Sequence, residues 1–234
     1  SMIRSGIEDG SFMGWDDPRV GTVRSLKRRG VQPEAIREVM IQVGPKPINA
    51  TLSWGYIASV NRKIIEPKAR RFTFVRDPVN LKVIGILGEH DVRLPSHPDH
   101  PEWGSREYSV RSDKGEAEFV VSGEDAEKMS GGEFTRLMGL FNIEIMHLGS
   151  GEIHARFHSK SHQEARKHDF PFVHWLPSGV GIQAQVVMPD ASTARGLAEE
   201  DCRDLKEGSM IQFERYGFVR VDSKSPFVAY YAHR

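Results

Sequence analysis

The apolar positions of this chain change their period part-way along it. Up to about residue 69 they recur at helical spacing. Ile36, Val39, Met40 and Val43 fall at i, i+3, i+4 and i+7, behind a Pro33 suited to a first helical turn and ahead of a Gly44 suited to ending it. That stripe is expected in the core. Val20, Val23 and Leu26 form a narrower stripe on a preceding helix. Asp17 is its expected cap, Pro18 its first residue and Gly30 the left-handed residue that ends it, leaving the intervening basic residues on an exposed face. Ser53 is expected to cap a third helix through Trp54, Ile57, Val60 and Ile64 that stops near Pro67, and Arg4 to Asp9 reads as a short helical piece.

From Arg71 onward the pattern is one of short β-type runs. They are Phe72 to Val75, Lys82 to Leu87, Tyr108 to Arg111, Ala117 to Val121, Thr135 to Met146, Ile153 to Phe157, Phe172 to Leu176, Ile182 to Met188, Met210 to Val221 and Val228 to Ala232. Gly, Pro, Asp and Ser turns such as Gly149-Ser150-Gly151 and Pro189-Asp190 separate them, which argues for antiparallel barrels rather than a βαβ sheet. The expected class is α+β and mainly β, with a short N-terminal α-helical segment.

Composition narrows the partners little. The 234 residues suffice for two or three small domains. Thirty-two basic and 32 acidic residues cancel, so any footprint for a polyanion must be local. A single cysteine, Cys202, excludes an internal disulfide and fits a reducing compartment, and no apolar run approaches the ~20 residues of a membrane span. A cytoplasmic protein without a membrane partner is expected. Ser1-Met2 has no secretory character, and the chain is expected to be a piece of a longer protein.

Ten histidines raise the question of a metal, but with one cysteine and no paired ligand spacing none is expected to be bound. In His97-Pro98-Asp99-His100-Pro101 the prolines are expected to hold an extended loop. Asp16-Asp17 and Glu199-Glu200 read as a cap and a solvated turn rather than an acid-base pair. Trp175, Phe141, Tyr230 and Tyr231 read as core, whereas Trp103 and Tyr216 lie in loop-like settings and are the better stacking candidates.

Several motifs recur together in one family. Trp15-Asp16-Asp17-Pro18-Arg19, Arg28-Arg29-Gly30, Pro33-Glu34-Ala35-Ile36-Arg37, Asn61-Arg62-Lys63-Ile64-Ile65, Asp77-Pro78-Val79, Gly104-Ser105-Arg106 and Gln212-Phe213-Glu214-Arg215 span nearly the whole chain. In order and spacing it resembles the C-terminal region of archaeal and eukaryotic-type glutamyl-tRNA synthetases, class I enzymes related to the glutaminyl-tRNA synthetases. The resemblance implies a helical stem-contact segment over residues 1–69 and two antiparallel anticodon-binding barrels. The proximal one would comprise 70–124 with 189–234, and the distal one, 125–188, would be inserted into it.

The same resemblance supplies expected site residues. Arg71, Gln212 and Arg215 match positions lining the pocket for the middle anticodon base, a uridine whose carbonyls and N3-H suit guanidinium and carboxamide groups. Strand alternation sets Gln212 and Arg215 on opposite faces, so their convergence needs a bend, for which Gly217 is suited. Arg136 and Lys128 match basic positions used at the first and third anticodon bases. Arg24, Lys27, Arg28, Arg29 and Arg106 are implied contacts to the tRNA backbone.

By the same resemblance the partners are tRNA(Glu), with tRNA(Gln) an open alternative, and the catalytic domain of the same polypeptide, in a monomer. The parent enzyme would use ATP and Mg, while this region needs no cofactor. A HIGH-like motif is absent, and Lys128-Met129-Ser130 spells only half of a KMSKS-like loop before Gly131-Gly132, so charging by this stretch alone is not expected. A glutaminyl-tRNA synthetase fragment and a non-synthetase RNA-binding barrel remain the competing readings.

Overall fold

In the computed structural model, which describes residues 2–44, 52–149 and 151–234, the helices come first: α1 (Met2–Glu8), α2 (Val23–Arg28), α3 (Pro33–Val43) and α4 (Trp54–Ile65). α3 has the expected bounds, with Pro33 in its first turn and Gly44 at φ 70° after its last residue. Ser53 caps α4 by accepting the Tyr56 N–H, and Glu66–Lys68 tightens into a 3-10 turn around Pro67.

α2 departs from expectation. Asp17 does not cap it: its carboxylate is buried and accepts instead from the Met13 and Arg19 N–H groups and from the Arg19 guanidinium. With Asp17 committed to that turn, the helix starts later, at Val23, and Thr22 accepts the Ser25 N–H as its cap. Gly30 does take a left-handed conformation, φ 88°, and a Cβ there would lie 2.5 Å from the Met210 sulfur, so the end of α2 sits flush on the sheet below. Val23 (78% exposed) and Met40 (55%) face solvent rather than the core; Val31, Ala35, Val39 and Val60 fill it, backed by Leu26, Ile57 and Trp54.

The strands are β1 (Arg70–Phe72), β2 (Phe74–Arg76), β3 (Val79–Ile84), β4 (Glu89–Pro95), β5 (Ser105–Arg111), β6 (Glu116–Val121), β7 (Phe134–Leu137) and β8 (Asn142–Leu148). They continue as β9 (Glu152–Ser159), β10 (Phe172–Val173), β11 (Trp175–Pro177), β12 (Ile182–Val187), β13 (Thr193–Ala198), β14 (Met210–Phe213), β15 (Gly217–Lys224) and β16 (Phe227–His233). Two short helices, α5 (Gly123–Ala126) and α6 (His162–Lys167), interrupt them. Most expected runs are strands. Thr135 to Met146 and Met210 to Val221 are each broken by a turn, and β4 and β13 were not anticipated, because charged and small residues mask their alternation.

All strands but β4 and β5, which pair with each other as a separate two-stranded sheet, make two nearly closed barrel-like sheets, and the chain divides into two compact bodies. The first comprises Ser1–Phe72, Ala184–Ala194 and Arg203–Arg234, and the second, Thr73–Gln183 with Arg195–Cys202, is inserted into its sequence. In the first body β1 runs parallel to β14, β15 is antiparallel to β14 and β16, and β12 runs parallel to β16. Ile65 and Ala69 pack there against Phe218 and Ala232, tying α4 to the sheet.

In the second body the order is β10-β7-β8-β9-β3-β6-β11, with β10·β7 and β9·β3 parallel. Phe119, Phe141, Ile143, Leu81 and Trp175 are central to its core. The antiparallel expectation is thus right for most neighbours but not for these parallel pairs, which join segments far apart in sequence. β3 and β6, expected with 189–234, pair instead with strands from 152–159 and 175–177. Short strands of similar character carry no local mark of their partner.

Candidate nucleic-acid interface

Phe72 is fully buried beneath β1, and Ile211 and Phe213 are buried beneath β14, so Arg71 and Gln212 both point to the outer face by alternation. The parallel register sets them opposite one another, Arg71 against Gln212. Two residues beyond Gln212 on the same face, Glu214 lies 3.8 Å from the Arg71 guanidinium. Arg71 is half-buried, and its Nε has no hydrogen-bond partner. The first body therefore sets a half-buried guanidinium, its buried Nε unsatisfied, beside a carboxamide and a carboxylate.

Arg215 follows this group in a turn rather than a bulge. Gln212 pairs with Phe218 and Phe213 with Gly217, so Glu214, Arg215 and Tyr216 form a three-residue connection. Arg215 takes φ 62° and is exposed, and the Tyr216 N–H donates to the Phe213 carbonyl at 3.0 Å. Tyr216 is half-buried, edge-on to Tyr231 at 5.8 Å with its hydroxyl on the Met188 sulfur. The anticipated bend exists, but at the turn itself. Glu214 was quoted in the sequence only as part of a motif; its place beside Arg71 depends on the β1·β14 pairing, which is not local.

The expected basic face of α2 divides in two. Arg29 is buried, packs over the Trp54 ring at 4.0 Å and donates to the Tyr231 and Ala232 carbonyls; burial pulls its pKa below the usual arginine value. Arg28 is clamped between Asp16 (2.9 Å) and Asp222 (3.0 Å) above the Tyr230 ring. Both guanidiniums are thus held by protein groups. Arg24 and Lys27 are exposed, and with Arg28, Arg220, Asp16 and Asp222 they line an open cleft of about 430 Å³. Arg220, on β15, carried no sequence signal, since only the seating of α2 on the sheet brings it there.

The remaining candidates lie in the second body. Arg106, implied as a backbone contact, is buried instead, 3% exposed, with its guanidinium 2.8 Å from an equally buried Glu199 that also accepts the Thr73 N–H. Its donors face the interior. The same pair corrects the solvated-turn reading of Glu199. Lys128 is exposed and paired with Glu124 at 2.7 Å. Arg136 is only 5% exposed; its Nη1 donates to Asn142 Oδ1 at 2.8 Å, its Nε has no partner, and burial lowers its pKa.

Trp103, a stacking candidate, has one face covered by His100 at 4.1 Å, and His97 packs against its edge. Among the described residues no group of three His, Cys, Asp or Glu side chains is placed to hold a metal, and no helix is long and apolar enough to cross a membrane.

Residues 69–162 and 172–222 each match a family described as "tRNA synthetases class I (E and Q), anti-codon binding domain". The chain belongs to this family, in its anticodon-binding part. Its relatives are more specific. Glutamate–tRNA ligases of Thermococcus kodakarensis, Pyrococcus abyssi and Methanopyrus kandleri are 46%, 44% and 42% identical to it along its whole length. The chain spans about 40% of the length of these relatives, matching their C-terminal part.

Proposed function

We propose that this chain is the tRNA-selecting region of a glutamate–tRNA ligase and that the outer face of β1 and β14 reads the middle anticodon base. The observation that carries this reading is the Arg71–Gln212 pairing beside Glu214, with the Arg71 Nε left without an acceptor. A uracil edge offers two carbonyl oxygens flanking one N–H. Arg71 donates to a carbonyl, the Gln212 carboxamide donates or accepts, and Glu214 accepts the imino N–H. Arg215 in the adjoining turn supplies a further guanidinium, while Arg136 and Lys128 serve the flanking anticodon bases. Arg24 and Lys27 contact phosphates and position the RNA without reading it.

In the whole enzyme, a cytoplasmic monomer, the selected tRNA(Glu) is held for glutamylation by a catalytic domain that uses ATP and Mg. Selection of tRNA(Gln) is tested beside it by exchanging the third anticodon base. The deciding experiment measures binding at low salt to tRNA with a glutamate anticodon, to the same tRNA with its middle uridine replaced by cytidine, and to both with Arg71→Ala. Each change is expected to weaken binding by about 1–3 kcal/mol, and the two together by less than their sum. Equal affinity across all four combinations would leave β1 and β14 as ordinary sheet surface.

A further inference from the structure

The second body carries a set of aromatic rings around Arg136 that none of the site assignments above uses. On β7, Thr135 and Leu137 are buried while Phe134 and Arg136 alternate to the other face, and the β10 register sets Phe172 against Arg136 on that same face. The segment 159–171 folds over it. Ser161 caps α6 by accepting the Glu164 N–H, and the helix ends in a Schellman turn: Asp169 is left-handed at φ 52°, and the Phe170 N–H reaches back to the Ala165 carbonyl at 2.9 Å. That turn lays Phe170 on Phe134, their rings 5.1 Å apart and inclined by 16°.

The stack continues at both ends into imidazoles. His168 lies 6.0 Å from Phe170 at 26°, and His158 lies 4.6 Å from Phe134. His162 stands edge-on to Phe172 at 5.7 Å. Phe134, Phe170 and Phe172 are half-buried, His168 is exposed, and Lys160, Arg166 and Lys167 are exposed along the same segment. Glu164 is occupied by Ser159 and His158. Beneath the segment lies Arg136, nine-tenths buried, with an unpartnered Nε and, among the described residues, no carboxylate paired with it.

A ring ladder ending in an exposed imidazole, flanked by cations and backed by a buried guanidinium, fits a planar group attached to an anion. Aromatic rings also serve protein interfaces, but the charged side chains exposed along this segment are three cations, Lys160, Arg166 and Lys167, against one carboxylate, Asp169, which favours an anionic polymer. We infer that the surface formed by Phe134, Phe170 and His168, with Lys160 and Lys167 beside it, is a docking site for an unpaired nucleobase of the bound RNA, which stacks on His168 while its phosphate meets the lysines. The inference rests on the RNA-binding reading above and adds to it a stacking site in the second body.

The test measures binding at low salt to a tRNA with a glutamate anticodon and to the same tRNA with abasic anticodon nucleotides, whose backbone is intact. His168→Ala is expected to weaken binding of the first about fivefold or more and to leave the second unchanged, with His168→Phe restoring the loss. Lys167→Ala is expected to weaken both equally. Retention of full affinity by His168→Ala, where Arg71→Ala still lowers it, overturns the stacking site and leaves the anticodon reading standing. Equal loss on both RNAs also overturns it, since only charge would then be lost. If Arg71→Ala has no effect while His168→Ala still separates the two RNAs, the stacking site stands and the β1–β14 pocket falls.

Discussion

Single residues in the first body settle protonation states that no sequence pattern specifies. The Gln32 N–H donates to Asn61 Oδ1 at 2.8 Å, so the Asn61 amide nitrogen is turned toward His233 Nε2, 3.0 Å away. Nε2 must accept, and the ring proton sits on Nδ1, facing the Arg234 carbonyl at 3.2 Å. Burial holds the His233 pKa below the usual histidine value. A folded pKa below the unfolded one means that the unfolded chain binds the proton first. The stability this histidine contributes is therefore present above about pH 6.5 and is lost as pH falls from there through the folded value. An NMR titration should find His233 still neutral at pH values where a free histidine is charged, with the melting temperature falling as the pH drops through that range. Titration of His233 at the ordinary histidine value would refute the stability attributed to burying its neutral form.

At the scale of elements, what sequence reasoning missed has physical causes. Asp17 has the chemistry of a cap, but four N–H donors, one from Met13 and three from Arg19, claimed it, and Thr22 took the capping role. Arg106 follows the same logic: its motif was recognisable, yet β5 points it inward to Glu199. Removing one member of a buried pair strands the other charge, so Arg106→Ala should cost about 3–5 kcal/mol in urea unfolding. The folded fraction should bind RNA as before. Arg106→Met with Glu199→Leu should recover much of that stability. An Arg106→Ala protein of normal stability that no longer binds RNA would return the residue to the interface.

For the molecule as a whole, net charge is zero, so its affinity for a polyanion depends on where the charges lie. Of the basic run at α2, Arg28 and Arg29 are held by protein groups, and Arg24 and Lys27 remain exposed at the cleft. Each phosphate neutralised releases counterions, so Arg24→Ala and Lys27→Ala should each flatten the salt dependence of tRNA binding by about 0.7–0.9 in the log-log slope. Discrimination at the middle anticodon base should persist in both, because these contacts carry no sequence information. A salt titration of affinity checks it; an unchanged slope in both variants removes α2 from the interface.

By itself the sequence determined the helix bounds around Pro33 and Ser53, the change to β structure near Arg71, the family, and the outward alternation of Gln212 between Ile211 and Phe213. All of these rest on local periodicity, punctuation or motif. Tertiary structure alone decided that Arg71 lies against Gln212, that Glu214 approaches it, that Arg220 joins the α2 cleft, that Arg106 is buried and that Phe170 stacks on Phe134. Each of those depends on strand register or helix seating between distant segments. The free energy that selects one pairing over another is spread across the buried faces, and the side chains that end up on the outer face leave no trace of it in their own neighbourhood of the chain.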